Sequence, residues 1–436
     1  MNLEKLKSLF TKNGCQKIYV KRLAPNDNSK NQVYLGGSFE VLNILPISKI
    51  ITEPAGDWKK ERFKAALNFS WIGEDGNLYP ARQSQLILYP KYPEVRFSGF
   101  LNQCDNAPSE LMTQRLANRL LFLGVTEDRT IIGYVISPSS DIAAEFEKHP
   151  HIQEEGVFKV IELAQTTNSR QKLLNELKRI YKLDWIPSKS LTPQGKIVPC
   201  TASQCGGYTL EAELGIRRNG RSEPDFLGWE VKNFHVNNLL RTSSSVITLM
   251  TPEPTGGLYK IQGKDDFIRQ YGYGDLKGRE DRINFGGVHK VGVKHKRTRL
   301  KLELVGFDKE HNKIRNTDGK IVLIDEKDRE AASWNFASMI IHWNTKHNQA
   351  CYVPSLSEKE PERKYKYGNN VILGIGTDFQ LFLKEMQLGH IYYDPGIKME
   401  NASKKPEVKA RSQFRIKSGY LSQLYKENEV VNTLSI

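Results

Sequence analysis

The chain has 436 residues, 39% of them hydrophobic and 10% aromatic. That is enough apolar material to fill cores in two or three domains of roughly 100–200 residues each, which excludes a disordered tail. No apolar run approaches the roughly 18 residues that a membrane helix needs, and Met1 to Phe10 has no apolar stretch of signal-peptide type, so no membrane partner and a cytoplasmic location are expected. Net charge is +14, and its distribution is uneven: residues 1–165 carry 20 basic and 19 acidic side chains, residues 166–436 carry 44 and 31. The second part holds nearly all the excess positive charge. A phosphate backbone is the commonest partner for such a surface, although a solvated basic face would give the same composition.

In chain order, Leu3, Leu6, Leu9 and Phe10 mark one face of a first helix, with Gly14 as its stop. Gln16–Leu23 reads as a strand through Ile18, Tyr19 and Val20. Short β-like segments follow at Val33–Leu35, Ala66–Ile72, Leu86–Leu88, Glu94–Phe97 and Thr130–Ile136, separated by turn signals, and Gln114–Leu121 reads as helical. The first part is therefore mostly β. Composition turns polar near Ala164–Asn168, and the chain is divided there into domains 1–165 and 166–436. A helix beginning at Ser169 carries the stripe Leu173, Leu174, Leu177, Ile180 and Tyr181. Tyr208–Leu214 reads as a helix and Phe226–Val231 as a strand. Arg299–Val305 and Ile321–Ile324 read as strands, Glu330–Trp343 as a helix, Asn370–Ile375 as a strand and Phe379–Met386 as a helix. Mixed strands and helices make the second domain α/β or α+β.

Five cysteines, Cys15, Cys104, Cys200, Cys205 and Cys351, are odd in number and scattered, which suits reduced thiols. Cys200 and Cys205 are the only close pair, and no second pair nearby completes the four ligands of a structural zinc.

The stretch Glu223-Pro224-Asp225-Phe226-Leu227-Gly228-Trp229-Glu230-Val231-Lys232 carries chemistry. Phosphodiester hydrolysis needs a metal to bind the phosphate and lower the pKa of a water. Hard Mg²⁺ prefers carboxylate oxygens, which Asp225 and Glu230 can supply. Two positions apart on a strand, Glu230 and Lys232 share a face, so an ammonium would sit beside the ion, with Trp229 and Val231 turned to the core. Glu211, on the preceding helix, could reach the same ion. By itself a Glu-x-Lys pair is equally a surface ion pair on a strand.

Several motifs together are more specific. Gly207-Tyr208-Thr209-Leu210-Glu211, then Pro224-Asp225-Phe226 and Glu230-Val231-Lys232, and far downstream Gln413-Phe414-Arg415-Ile416, resemble the MvaI/BcnI restriction endonucleases, relatives of the mismatch-repair nickase MutH. The likeness runs from about Ser169 to the C-terminus. It implies an α/β nuclease domain of the PD-(D/E)xK type, with Asp225 and Glu230 as metal ligands, Lys232 as the catalytic lysine and Glu211 as an accessory acid. MvaI has Glu at the position of Glu230 and BcnI has His, so this chain is nearer to MvaI. The segment before Gly207 departs from the MvaI pattern. In the tail, Lys404, Lys405, Lys409, Arg411 and Arg415 cluster around Gln413 and Phe414. Arg can grip guanine O6 and N7, and the family reads bases with this region, so Arg411 and Arg415 are the specificity candidates. The basic run from His289 to Arg299 suits backbone contact or solvent.

In the first domain, Tyr19-Val20-Lys21-Arg22-Leu23-Ala24-Pro25-Asn26-Asp27 with Asn31-Gln32-Val33 resembles the N-terminal effector-binding domain of EcoRII, a β pseudobarrel that grips the major groove with two arms. The arms would be Lys21 to Val33, offering Lys21, Arg22 and Asn31, and Lys91 to Gly99, offering Lys91, Glu94 and Arg96. Glu94 and Arg96 match a Glu-x-Arg of that family, and Glu can accept from cytosine N4 while Arg donates to guanine. EcoRII has His where Asn31 stands.

Together the resemblances imply a two-domain restriction enzyme acting as a monomer on double-stranded DNA. The second domain would cut CCWGG (W is A or T) with Mg²⁺, and the first would bind another copy of the target. The rivals are a MutH-like nickase that answers to a partner protein, and a non-catalytic DNA-binding regulator.

Overall fold

The structure is a computed structural model of the whole chain. It describes all residues except 26–30, 38–40, 48, 54–61, 90–93, 127, 149–152, 164–168, 203, 218–224, 241–244 and 317. The chain divides into two compact units, Met1–Asn168 and Ser169–Ile436.

The first unit opens with helix Leu3–Lys12, which buries Leu3, Leu6 and Phe10 and is capped by Asn2 accepting from the Lys5 amide. Its larger sheet has seven strands in the order Gln153–Glu155, Phe158–Glu162, Lys17–Leu23, Arg119–Val125, Ile131–Ile136, Phe69–Ile72 and Leu78–Pro80. The second sheet orders Val33–Tyr34, Glu94–Ser98, Gln85–Tyr89, Arg62–Ala66 and Lys49–Glu53. Among the described residues neither sheet closes on itself, so the expected pseudobarrel is not present as a closed barrel. Two expectations are corrected here. The span Ala66–Ile72 is not one strand, because the chain passes from one sheet to the other between Ala66 and Phe69. Gln114–Leu121 is not a helix: a short helix, Ser109–Thr113, precedes it, and Arg119–Val125 is a central strand paired on both edges. A strand buried on both faces reads as a continuous apolar run with no period to distinguish it.

In the second unit the long strand Gln349–Glu358 is the axis. Glu230–His235 pairs with it in parallel, with Glu230 opposite Ala350 and Lys232 opposite Tyr352. Asn370–Ile375 pairs with Gln349–Tyr352 in antiparallel fashion, and Glu427–Asn432 continues the sheet beyond it. Helices Ser169–Lys182 and Cys205–Glu213 share one core with this sheet, through Leu173, Leu177, Leu210, Trp229, Val231 and Val353. A separate three-stranded sheet orders Val246–Met250, Phe414–Lys417 and Ile391–Tyr393. The expected helix Glu330–Trp343 proves to be two elements, strand Glu330–Asn335 and helix Phe336–His347. Asn335 makes the switch, since its side chain accepts from the Ser338 amide at 2.8 Å as an N-cap.

Cys200 and Cys205 form a disulfide, which corrects the expectation of free thiols there. It ties the start of helix Cys205–Glu213 to the hairpin of Lys189–Leu191 and Ile197–Pro199. Among the described residues no helix is long and apolar enough to cross a membrane.

Candidate active site

Asp225 and Glu230 converge through a turn and not along one strand. Phe226 and Trp229 exchange two backbone hydrogen bonds, at 2.9 and 2.8 Å, across a two-residue loop. Both loop residues have positive φ, 48° at Leu227 and 88° at Gly228, which is the signature of a type I′ hairpin turn. The strand therefore begins at Glu230, not at Phe226 as the sequence predicts. Past the turn, Asp225 Oδ2 accepts from the Val231 amide at 3.2 Å, which fixes its carboxylate beside the strand. Glu230 and Lys232 do share a face: Lys232 Nζ donates to Glu230 Oε1 at 2.8 Å. Trp229 and Val231 point into the core.

Burial and charge make this cluster unusual. Glu230 is only 3% exposed. Burial works against its charge, but Lys232 and the more distant Lys346 outweigh it and hold Glu230 below its usual range. His347 is not a cation here, since burial pushes it down to about 3. Asp225 goes the other way: burial, with the negative charge of Glu230, raises it to about 7. Burial disfavours the charged form of Lys232, yet Glu230, Asp225 and Glu211 keep it protonated. Two carboxylates whose environments push them apart, beside an ammonium, have the character of a functional site.

The residues fit a divalent cation. Among the described residues Glu230 Oε2 is buried with no hydrogen-bond partner. An orphaned carboxylate oxygen beside a second, repelled carboxyl is a donor set that a hard cation would satisfy. Glu211 is placed by helix Cys205–Glu213, which approaches the strand closely at Gly206, where a Cβ would come within 2.5 Å of Asn233 Oδ1. Its charge is felt by Asp225 and Lys232. It does not complete a tight ligand cluster, however. Among the described residues, the group of three candidate ligands whose donor atoms all fall within 4.8 Å of one another is Asp308, Glu310 and His311. That group is already engaged, because the Asp308 carboxylate pairs with Arg315 and His311.

Two residues at these sites were not foreseen. Lys346 lies 3.9 Å from Glu230 Oε2, from the last turn of helix Phe336–His347. Ending that helix at Trp343 hid it. Asp394 is the second. It follows strand Ile391–Tyr393 and holds Arg415 Nη1 at 2.7 Å, while Arg415 Nε donates to Gln413 Oε1 at 3.1 Å and Thr248 Oγ1 at 3.2 Å. Arg415 thus stands on a three-stranded sheet with its guanidinium oriented by three groups. Arg411 is exposed just before that strand, its carbonyl accepting from the Gly396 amide.

In the first unit, Lys21 and Arg22 sit on strand Lys17–Leu23, and Arg22 pairs with Glu147. Arg96 donates to Glu94 at 3.1 Å and to Gln32 at 3.0 Å, joining two segments expected to be separate arms. Asn31 is described, with φ of 45°, while Lys91 lies outside the described residues.

Residues 174–425 match the MvaI/BcnI restriction endonuclease family. No curated protein matches the chain. Solved structures do, among them the following two. One is the restriction endonuclease MvaI–cognate DNA substrate complex, 19% identical over 61% of this chain and 99% of that chain, with a TM-score of 0.46. The other is MvaI in the absence of DNA, 19% identical over 61% and 98%, with a TM-score of 0.34. The family match spans more than half of the chain, so this protein belongs to the MvaI/BcnI restriction endonuclease family and is a site-specific deoxyribonuclease.

Proposed function

We propose that this enzyme makes Mg²⁺-dependent double-strand cuts at CCWGG, with residues 166–436 cutting and residues 1–165 binding a second copy of the target in the manner of an EcoRII-type effector pseudobarrel. The observation that carries the cutting site is the pair Asp225 and Glu230, one raised to about 7 and the other with a buried oxygen left without a hydrogen bond. Asp225 and Glu230 would hold the cation, which when bound supplies charge against the scissile phosphate and a more acidic water. Lys232, fixed by Glu230, would orient an attacking water or offset phosphate charge. Glu211 adds negative charge from the helix. Arg415, oriented by Asp394, reads a guanine, and Arg411 lies beside it on the same segment. Lys21, Arg22, Asn31, Lys91, Glu94 and Arg96 would contact the second copy. The enzyme would work in the cytoplasm as a monomer, cutting one strand and then turning to cut the other.

The test is cleavage of a supercoiled plasmid carrying two CCWGG sites, with Mg²⁺, by wild type and Lys232→Ala. Linear fragments mapping to CCWGG, absent with the variant and without metal, are expected. Fragments at another sequence would discard the target. Binding with no cleavage under any divalent metal would discard the assigned site.

A further inference from the structure

The two oxygens of Glu230 are treated differently. Oε1 takes a hydrogen bond from Lys232 at 2.8 Å. Oε2 takes none among the described residues, and Lys346 Nζ stands off from it at 3.9 Å. That distance is too long for a hydrogen bond but short enough for direct attraction between charges. The Lys346 side chain is 25% exposed and that of Glu230 4%, so the ammonium faces a buried carboxylate while keeping contact with water. The neighbouring His347 cannot share this role, because its ring nitrogens lie against the carbonyls of Trp343 and Leu249. A lysine on a flexible stem, unlike the hydrogen-bonded Lys232, can leave without breaking a bond.

We infer that Lys346 is a positioning residue that competes with the divalent cation for Glu230, so that the DNA-free enzyme holds metal more weakly than its carboxylates alone would. The inference rests on the reading of Asp225 and Glu230 as the metal-holding pair. Its physical content is a sign. A cation arriving at Oε2 meets the repulsion of the ammonium already there. Removing that ammonium's charge must therefore tighten metal binding, whereas damage to the fold or loss of a packing contact would loosen it. For a partly exposed charge acting on a divalent ion the change is on the order of tenfold.

The experiment is calorimetric titration of MgCl₂ into the full-length protein without DNA, for wild type, Lys346→Gln, Lys346→Arg and Glu230→Gln. Lys346→Gln is expected to bind Mg²⁺ roughly tenfold more tightly, Lys346→Arg to match wild type, and Glu230→Gln to lose binding. Unchanged or weaker binding by Lys346→Gln, with Glu230→Gln still losing it, overturns the inference and leaves the acid pair standing. Equal affinity in wild type and Glu230→Gln overturns the acid pair, and the inference with it.

Discussion

At the scale of single residues, burial opposes the charges of Asp225, Glu230 and Lys232, and pH exposes the cost. The Asp225 carboxyl is raised to about 7 by burial and by Glu230, whereas in the unfolded chain it sits near 3.9. A carboxyl raised on folding binds its proton more tightly in the native state. Its effect on stability therefore worsens as pH climbs from about 4 to 7, and is constant above and below that window. Asp225→Asn removes the charge. Melted without metal, the variant should equal wild type near pH 3.5, gain on it steadily to pH 7, and keep a constant lead to pH 8.5. A lead that shrinks with rising pH would show that Asp225 is held charged and not neutral. Lys232 poses the opposite case. Its loss leaves Glu230 charged and buried without its hydrogen bond, and breaking such a pair from one side costs about 3 kcal/mol. Lys232→Ala should show that loss in urea unfolding, with a smaller loss for the double variant Glu230→Gln/Lys232→Ala. Equal losses would mean that the ion pair is not what the lysine supports.

At the scale of elements, the site is made by a turn. The type I′ geometry asks for positive φ at both loop positions, which Gly228 adopts freely and Leu227 does not. A non-glycine residue in the left-handed region costs on the order of 1 kcal/mol, least for Asn. Leu227 is also half exposed, so little packing is lost on replacing it. Leu227→Asn should raise the melting temperature by a few degrees, equivalent to about 1 kcal/mol, and Gly228→Val should lower it and reduce cleavage. A neutral Leu227→Asn would place the turn's strain elsewhere.

This turn also shows what the sequence could and could not disclose. Alternation along a strand placed Glu230 and Lys232 on one face and Trp229 in the core, since period two is a local property. It could not show that Asp225 returns to the same point, because that depends on Leu227 entering a conformation its side chain disfavours. Apolar periodicity marked the helix from Ser169, yet the fully buried strand Arg119–Val125 has no such period. Helix Phe336–His347 was shifted because Ala331, Ala332 and Trp334 suit either element, and only the Asn335 cap decides between them. Lys346 and Asp394 act across more than a hundred residues and within a strand order, respectively, that no local pattern encodes.

At the scale of the whole molecule, the chain holds two units with separate cores, and nearly all the excess positive charge lies in the second. A near-neutral first unit is a poor general grip on phosphate, so a second target copy held there would depend on a few directed contacts. Arg96 is suited to that. Glu94 and Gln32 fix its guanidinium from two segments, and strand Val33–Tyr34 pairs with Glu94–Ser98 to hold those segments together. An arginine oriented in this way loses little freedom on meeting a guanine, and its removal costs about 1–3 kcal/mol of discrimination. If the first unit binds a second target copy that modulates cutting, a short duplex carrying the target, added in trans, should change the cleavage rate of a plasmid with one site. Full-length Arg96→Ala should cut that plasmid alone at the wild-type rate, yet respond to the added duplex only at concentrations roughly tenfold or more higher. A scrambled duplex should affect neither protein. If wild type ignores the specific duplex, the second-copy role fails. If Arg96→Ala responds as wild type does, the role stands but its contacts lie on other residues of the first unit, with Lys21 and Arg22 the next to replace.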